Sequence, residues 1–251
     1  YVLYMVKVGH VSVIVELMRT GKIPEGKGMV AYGKQQVKEN FGTSNVAFVL
    51  DSLVHGAVRQ IQRWILRIGN FFSFIPGSQY VIQIINAIMS VSLNYIDEAI
   101  MSYVFLRKST KQDETVWKSA CDGVVLYAQS WKGVLKAAAG SVVFIYLFNF
   151  ILFLIFVFPL MLVSKLISSG TPGLGTFLGF LAIICAYVFT TVLKRALIDP
   201  IVTIVMIRSY QKSIQGLEPA MDMEQKLLGI SPRFRKLFDK AQEEEKAIPG
   251  T

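Results

Sequence analysis

Apolar and polar positions in this chain fall into long blocks, not short alternations. The stretches 68–96, 137–164 and 166–193 contain no Asp, Glu, Lys or Arg. Each exceeds the roughly 20 apolar residues needed to cross a hydrocarbon core as a helix. The segment 142–162 (VVFIYLFNFILFLIFVFPLML) is apolar almost all round, whereas a helix at the surface of a soluble domain keeps a polar face. The pattern predicts five spans, near 2–18, 46–68, 80–106, 137–167 and 176–207. The first carries Lys7, His10 and Glu16 and reads as a partial span. The last is expected to bend at Pro200, which has no backbone N–H to donate. The fold class is therefore all-α: a polytopic transmembrane helix bundle over 1–210, followed by a tail over 211–251.

The segments between spans differ in charge. Arg19, Lys22, Lys27, Lys34 and Lys38 lie in 19–43, and Arg107, Lys108, Lys111, Lys118, Lys132 and Lys136 lie in 107–136. The segments 70–79 and 168–175 carry no charge. Basic loops stay on the cytoplasmic side, so alternating five spans puts the basic segments and the C-terminus inside and both uncharged loops outside. The expected location is the cell membrane. Within the long inner loop, Val116, Ala120, Gly123, Tyr127, Trp131 and Leu135 recur at helical spacing over 114–135. Trp117 and Trp131 sit beside Lys118 and Lys132, which predicts an amphipathic helix at the inner membrane surface. In the tail, Ser231 and Pro232 form a helix start. Phe234, Leu237, Phe238 and Ala241 then make an apolar stripe expected to dock on the inner face.

Composition agrees with the block pattern. Of 251 residues, 53% are hydrophobic and 17% charged, against roughly a quarter charged in soluble domains. The net charge of +9 resides in loops and tail beside apolar spans without a recognition motif, which argues against a nucleic-acid partner. Cys121 and Cys185 give no disulfide framework and no zinc-type spacing. His10 and His55 have no nucleophile partner, and no glycine-rich loop has phosphate-cradling spacing. No catalytic set, metal site or cofactor is therefore expected. The chain begins at Tyr1 inside an apolar run, and a longer N-terminus is expected.

Ionisable residues inside the apolar blocks are the candidate chemistry. Asp51, His55, Arg59, Arg63 and Arg67 follow one another at steps of four, a spacing that drifts by about 40° per step and keeps them on one broad polar helix face. Arginine at mid-membrane is costly and faces a polar interior. Asp97 and Glu98 lie about 18 residues, or roughly 27 Å, into the third span. That is level with Asp51, Glu16 and Asp199 near the inner side. The expectation is an inner acidic vestibule attracting a cation, with Asn94 and Tyr95 alongside; ordinary helix-end charges paired with Lys194, Arg195 or Arg107 are the plainer alternative.

Several short motifs occur in a recognisable order. Phe41-Gly42-Thr43 precedes Ala47-Phe48, Asn94-Tyr95 precedes Asp97-Glu98-Ala99, and after two strong spans come Asp199 and an acid- and Met-containing segment, 221–228. In this order the chain resembles, over 19–228, the C-terminal half of the choline transporter-like membrane proteins. That family has about twice as many spans and a large outer loop. The resemblance implies a transporter, or the membrane half of one, for choline or a related small organic cation. A non-catalytic membrane subunit, docking a protein partner or lipid headgroups through its inner-face helices, is the second class. A channel or scramblase lined by the polar face of the second span is the third.

Overall fold

The computed structural model describes residues 2–24, 26–42, 44–69, 78–111, 113–168 and 172–247. The uncharged loop 70–79 falls largely outside them, as do 169–171 of the second uncharged loop. Every regular element among the described residues is helical: α1 (Val2–Thr20), α2 (Met29–Phe41), α3 (Ser44–Gly69), α4 (Ser78–Thr110), α5 (Val116–Ile167), α6 (Pro172–Leu193), α7 (Asp199–Ile214), α8 (Met221–Ile230) and α9 (Pro232–Ala247). A π-helical turn, Lys194–Ile198, joins α6 to α7. The chain forms two compact units, one from Tyr1–Ala138 and Ile204–Thr251, the other from Ala139–Thr203.

In the first unit, α1 ends at Gly21, whose φ of 77° is the left-handed conformation that glycine adopts without strain. The chain then returns as α2. A pair of glycines sets how closely these helices pack: a Cβ on Gly33 would stand 2.8 Å from the Gly9 carbonyl oxygen, so only hydrogen fits. Helix α9 starts as its sequence requires. Ser231 Oγ accepts the Phe234 backbone N–H at 3.1 Å, and Pro232 occupies the first helical position, where a missing N–H is harmless. Its apolar stripe, Phe234, Leu237 and Ala241, is buried, and α9 packs along α3. Ser231 Oγ donates to Gln60 Oε1 at 2.6 Å, and the Arg233 N–H donates to the same oxygen at 3.2 Å. Lys226 Nζ sits 4.7 Å from the centre of the Trp64 ring.

Of the segment 114–135, read as a membrane-surface helix, residues 116–128 are packed inside this unit. From Val116 to Ala128 only Lys118 is more than marginally open to solvent. Thr115 caps this helix by accepting the Lys118 N–H at 3.1 Å. Val116, Ala120, Gly123 and Tyr127 are buried, and Trp131 and Leu135 are half-buried. The intervening Ser119, Cys121 and Asp122 are small enough for neighbours to close around the others. Tyr210 OH donates to the Gly123 carbonyl at 2.8 Å, and a Cβ on Gly123 would meet Ile100 Cγ2 at 2.9 Å.

The second unit comprises the rest of α5, α6, the π-helical turn and the start of α7 as far as Thr203. Phe156 and Phe189 stack at 5.6 Å, but most large apolar side chains point outward: Tyr146, Phe150, Phe158, Phe177 and Phe180 are each more than 60% exposed. A water-soluble monomer rarely shows so large an apolar surface. Two helical runs, Val116–Ile167 and Gly173–Ile214, are long and apolar enough to cross a membrane, and their most apolar stretches are largely exposed. Among the described residues α1, α3 and α4 do not meet that criterion. Helix α5 passes Pro159 without interruption. At Pro200 the expected disturbance is the widened turn: the Asp199 N–H reaches back to the Lys194 carbonyl, a π-type bulge accommodating a residue that cannot donate.

Gly33→Ala should force α1 and α2 apart and lower stability by about 1–3 kcal/mol, read as a fall in the midpoint of thermal unfolding in detergent. Gly229→Ala, where a Cβ meets nothing within 4 Å, should leave the midpoint unchanged or raise it slightly.

Candidate functional site

Three helices bring ionisable groups together in the first unit. Asp97, on α4, is 4% exposed. Its Oδ2 accepts a hydrogen bond from Lys7 Nζ of α1 at 2.7 Å, and His55 Nδ1 of α3 lies 3.5 Å from the same oxygen. Its Oδ1 accepts the Glu98 backbone N–H at 3.0 Å, and Glu98 Oε1 stands 3.6 Å from Lys7 Nζ. Asp51, one turn before His55 on α3, is half-buried. A carboxylate so enclosed stays ionised only if a cation and donors replace its lost water; Lys7 does this from one side and His55 faces it from another. The lysine that reads on sequence as a blemish in a partial span is therefore the counter-ion of the most buried acid in the cluster.

The sequence-predicted residues divide. Asp97, Glu98 and His55 share this cluster, with Asp51 beside it. Tyr95 is buried, but Asn94 is exposed, so the two do not form a common lining. Arg59 and Arg63 are exposed, and among the described residues neither has a carboxylate within ion-pair distance. Asp199 belongs to the second unit, where Lys194 Nζ binds its Oδ1 at 3.0 Å. Glu16 is buried elsewhere in the first unit: Arg19 Nη2 donates to its Oε2 at 3.0 Å and Tyr32 OH donates to the same oxygen at 3.1 Å. Burial and the Glu16 carboxylate push the Tyr32 phenol up to about 12.

Sequence reading missed a second polar link. Gln62 Nε2 donates to Tyr127 OH at 3.1 Å and Ser92 Oγ at 3.3 Å, with all three side chains buried. Gln62 falls within the repeating run of α3 but between its charged positions, and only packing against α4 and α5 gives it a partner. Such links tie helices together; none assembles a nucleophile with a base. No protein-family model, curated protein or solved structure matches the chain.

Asp97→Ala strands the Lys7 ammonium. Because the Lys7 side chain is one-third exposed, the loss should be about 1–3 kcal/mol, below the value for a fully buried pair. Lys7→Met with Asp97→Leu should recover most of it. Denaturant unfolding of the two variants and the wild type checks this, and a double variant no better than Asp97→Ala would refute the pairing.

Proposed function

We propose that the chain is a non-catalytic integral membrane protein: an apolar hairpin crosses the bilayer twice and anchors a helical unit that docks on anionic lipid headgroups. The observation that carries this reading is connectivity. The first unit is assembled from chain on both sides of 139–203, so those residues must leave and return to one side, which takes an even number of crossings. The two long apolar runs supply two. The environment of α3 supports the same count. Helix α9 carries Arg233, Arg235, Lys236, Lys240, Glu243, Glu244 and Glu245, and a helix so charged belongs in water. Since α9 packs along α3, α3 belongs outside the hydrocarbon too. The arginine ladder then requires no mid-membrane charge. Arg59 and Arg63, exposed and without carboxylate partners among the described residues, provide the cationic surface, each basic residue contributing about 1 kcal/mol near an anionic leaflet. The side is cytoplasmic by the charge of its loops.

Transport of choline or a related small organic cation is the second reading. Its support is the buried carboxylate Asp97 and the ordered resemblance over 19–228. Against it, Asp97 already has Lys7 as counter-ion and Asp199 has Lys194.

Single cysteines at Gln83 and Lys236, on a background with Cys121 and Cys185 replaced, separate two crossings from five. Membrane-impermeant maleimide in sealed, sided vesicles should reach both from the same side. Reaction from opposite sides would restore the five-span bundle. For docking, Arg59→Gln with Arg63→Gln should reduce enrichment of phosphatidylglycerol over phosphatidylcholine around the purified protein by roughly thirtyfold, read by native mass spectrometry. Unchanged enrichment would remove the headgroup role.

A further inference from the structure

A second site lies in the first unit, away from the Asp97 cluster. Helices α1 and α2 and the end of α4 enclose a polar cavity of about 400 Å³, within the roughly 300–1,000 Å³ range of small-molecule sites. Glu16, Arg19, Tyr32, Glu39, Phe105 and Lys108 are among its lining residues. The close crossing of α1 and α2 at Gly9 and Gly33 holds its walls in place.

Two of these groups carry unused and opposite recognition capacity. Arg19 donates to Glu16 only through Nη2; its Nε and Nη1 have no partner among the described residues. A guanidinium with donors to spare is a carboxylate- or phosphate-binding group. Lys108, whose Nζ donates to the Glu114 carbonyl oxygen at 2.8 Å, is also among the lining residues. Glu39 accepts hydrogen bonds from the side-chain amides of Gln35 and Gln36 and has no cationic partner among the described residues. A carboxylate held only by neutral donors leaves its charge for a cationic ligand. Tyr32 OH spends its proton on Glu16, so its oxygen remains an acceptor for an ammonium N–H. Gln36 and Asn40, also in the lining, add amide acceptors. A cavity rich in hydrogen-bond acceptors suits a primary ammonium, which needs three; an alkylated one would need an aromatic cage instead.

We infer that this cavity binds a phosphoethanolamine group, its ammonium at Glu39 and Tyr32 and its phosphate at Arg19 and Lys108. The inference rests on the cavity and its lining and is independent of the docking face and of the number of membrane crossings. The group has two sources, a free soluble zwitterion or the headgroup of phosphatidylethanolamine.

The test is calorimetric titration of the full chain in detergent. Phosphoethanolamine should bind saturably and at least tenfold more tightly than either inorganic phosphate or ethylammonium. Glu39→Gln, an exposed substitution that leaves the fold intact, should remove the advantage over phosphate. Arg19→Lys should weaken binding tenfold or more while keeping a cation beside Glu16. Lys236→Gln, on α9 and outside the cavity, should change nothing. Equal affinity for phosphate and phosphoethanolamine, no binding, or full affinity in Glu39→Gln would overturn the proposal. Repeating the titration in phosphatidylethanolamine and in phosphatidylglycerol nanodiscs identifies the source. Competition confined to the former indicates the headgroup; equal binding in both indicates the free zwitterion.

Discussion

Hydrocarbon offers backbone N–H and C=O groups no partners, so a chain that enters it must satisfy them within its own helices and come out again before polar structure can form. Two runs of this protein are long and apolar enough to be subject to it. The uncharged stretch from Ala137 to Ser164 continues as one helix through Pro159. The second, from Leu166 to Leu193, runs into a π-helical turn that absorbs Pro200. The aromatic residues differ between these runs and the polar unit: Phe150, Phe158 and Phe180 are exposed, while Tyr127, Tyr210 and Phe234 are fully buried.

Inside the polar unit the problem is inverted, since charge must be hidden from low-dielectric surroundings without being stranded. Lys7 resolves it for Asp97, Arg19 and Tyr32 for Glu16, and neutral hydrogen bonds among Gln62, Ser92 and Tyr127 extend the same logic to uncharged groups. Arg19 and Glu16 are one turn apart on α1; each of the other links joins residues on different helices. The buried polar groups thereby specify which helix faces meet, in a bundle whose small residues, Gly9, Gly33 and Gly123, would otherwise tolerate sliding. Glu39 and the Nε and Nη1 of Arg19 retain capacity that nothing within the described residues uses, and both residues line the cavity proposed as a ligand site.

Much of this was legible in the residues, and the illegible part has a common cause. Two of the three charge-free blocks fall in helical runs long and apolar enough to cross a membrane, whereas 68–96 does not among the described residues; Ser231-Pro232 with its stripe marks α9, because that signal is local. The four-residue ladder Asp51, His55, Arg59 and Arg63 lies along α3, but periodicity does not say what its members meet: Asp51 and His55 are half-buried while Arg59 and Arg63 are exposed. Only the packing of α9 on α3, across some 170 positions, argues for water. The same limit applies to 116–128. Its spacing describes one apolar side, and its burial depends on α4 and α7. Asp97 and Glu98 stand out in the sequence as acids at the end of an apolar block; Lys7 as their counter-ion does not, since 90 positions separate it from Asp97.

The central claim is that α3 lies in water and α6 in lipid. Nitroxide labels at Ser52 on α3 and Phe180 on α6, in protein reconstituted into bilayers, report this directly through relaxation by dissolved oxygen and by a water-soluble nickel chelate. The account predicts that nickel dominates at Ser52 and oxygen at Phe180. Oxygen-dominated relaxation at both positions would place α3 in the hydrocarbon and contradict it.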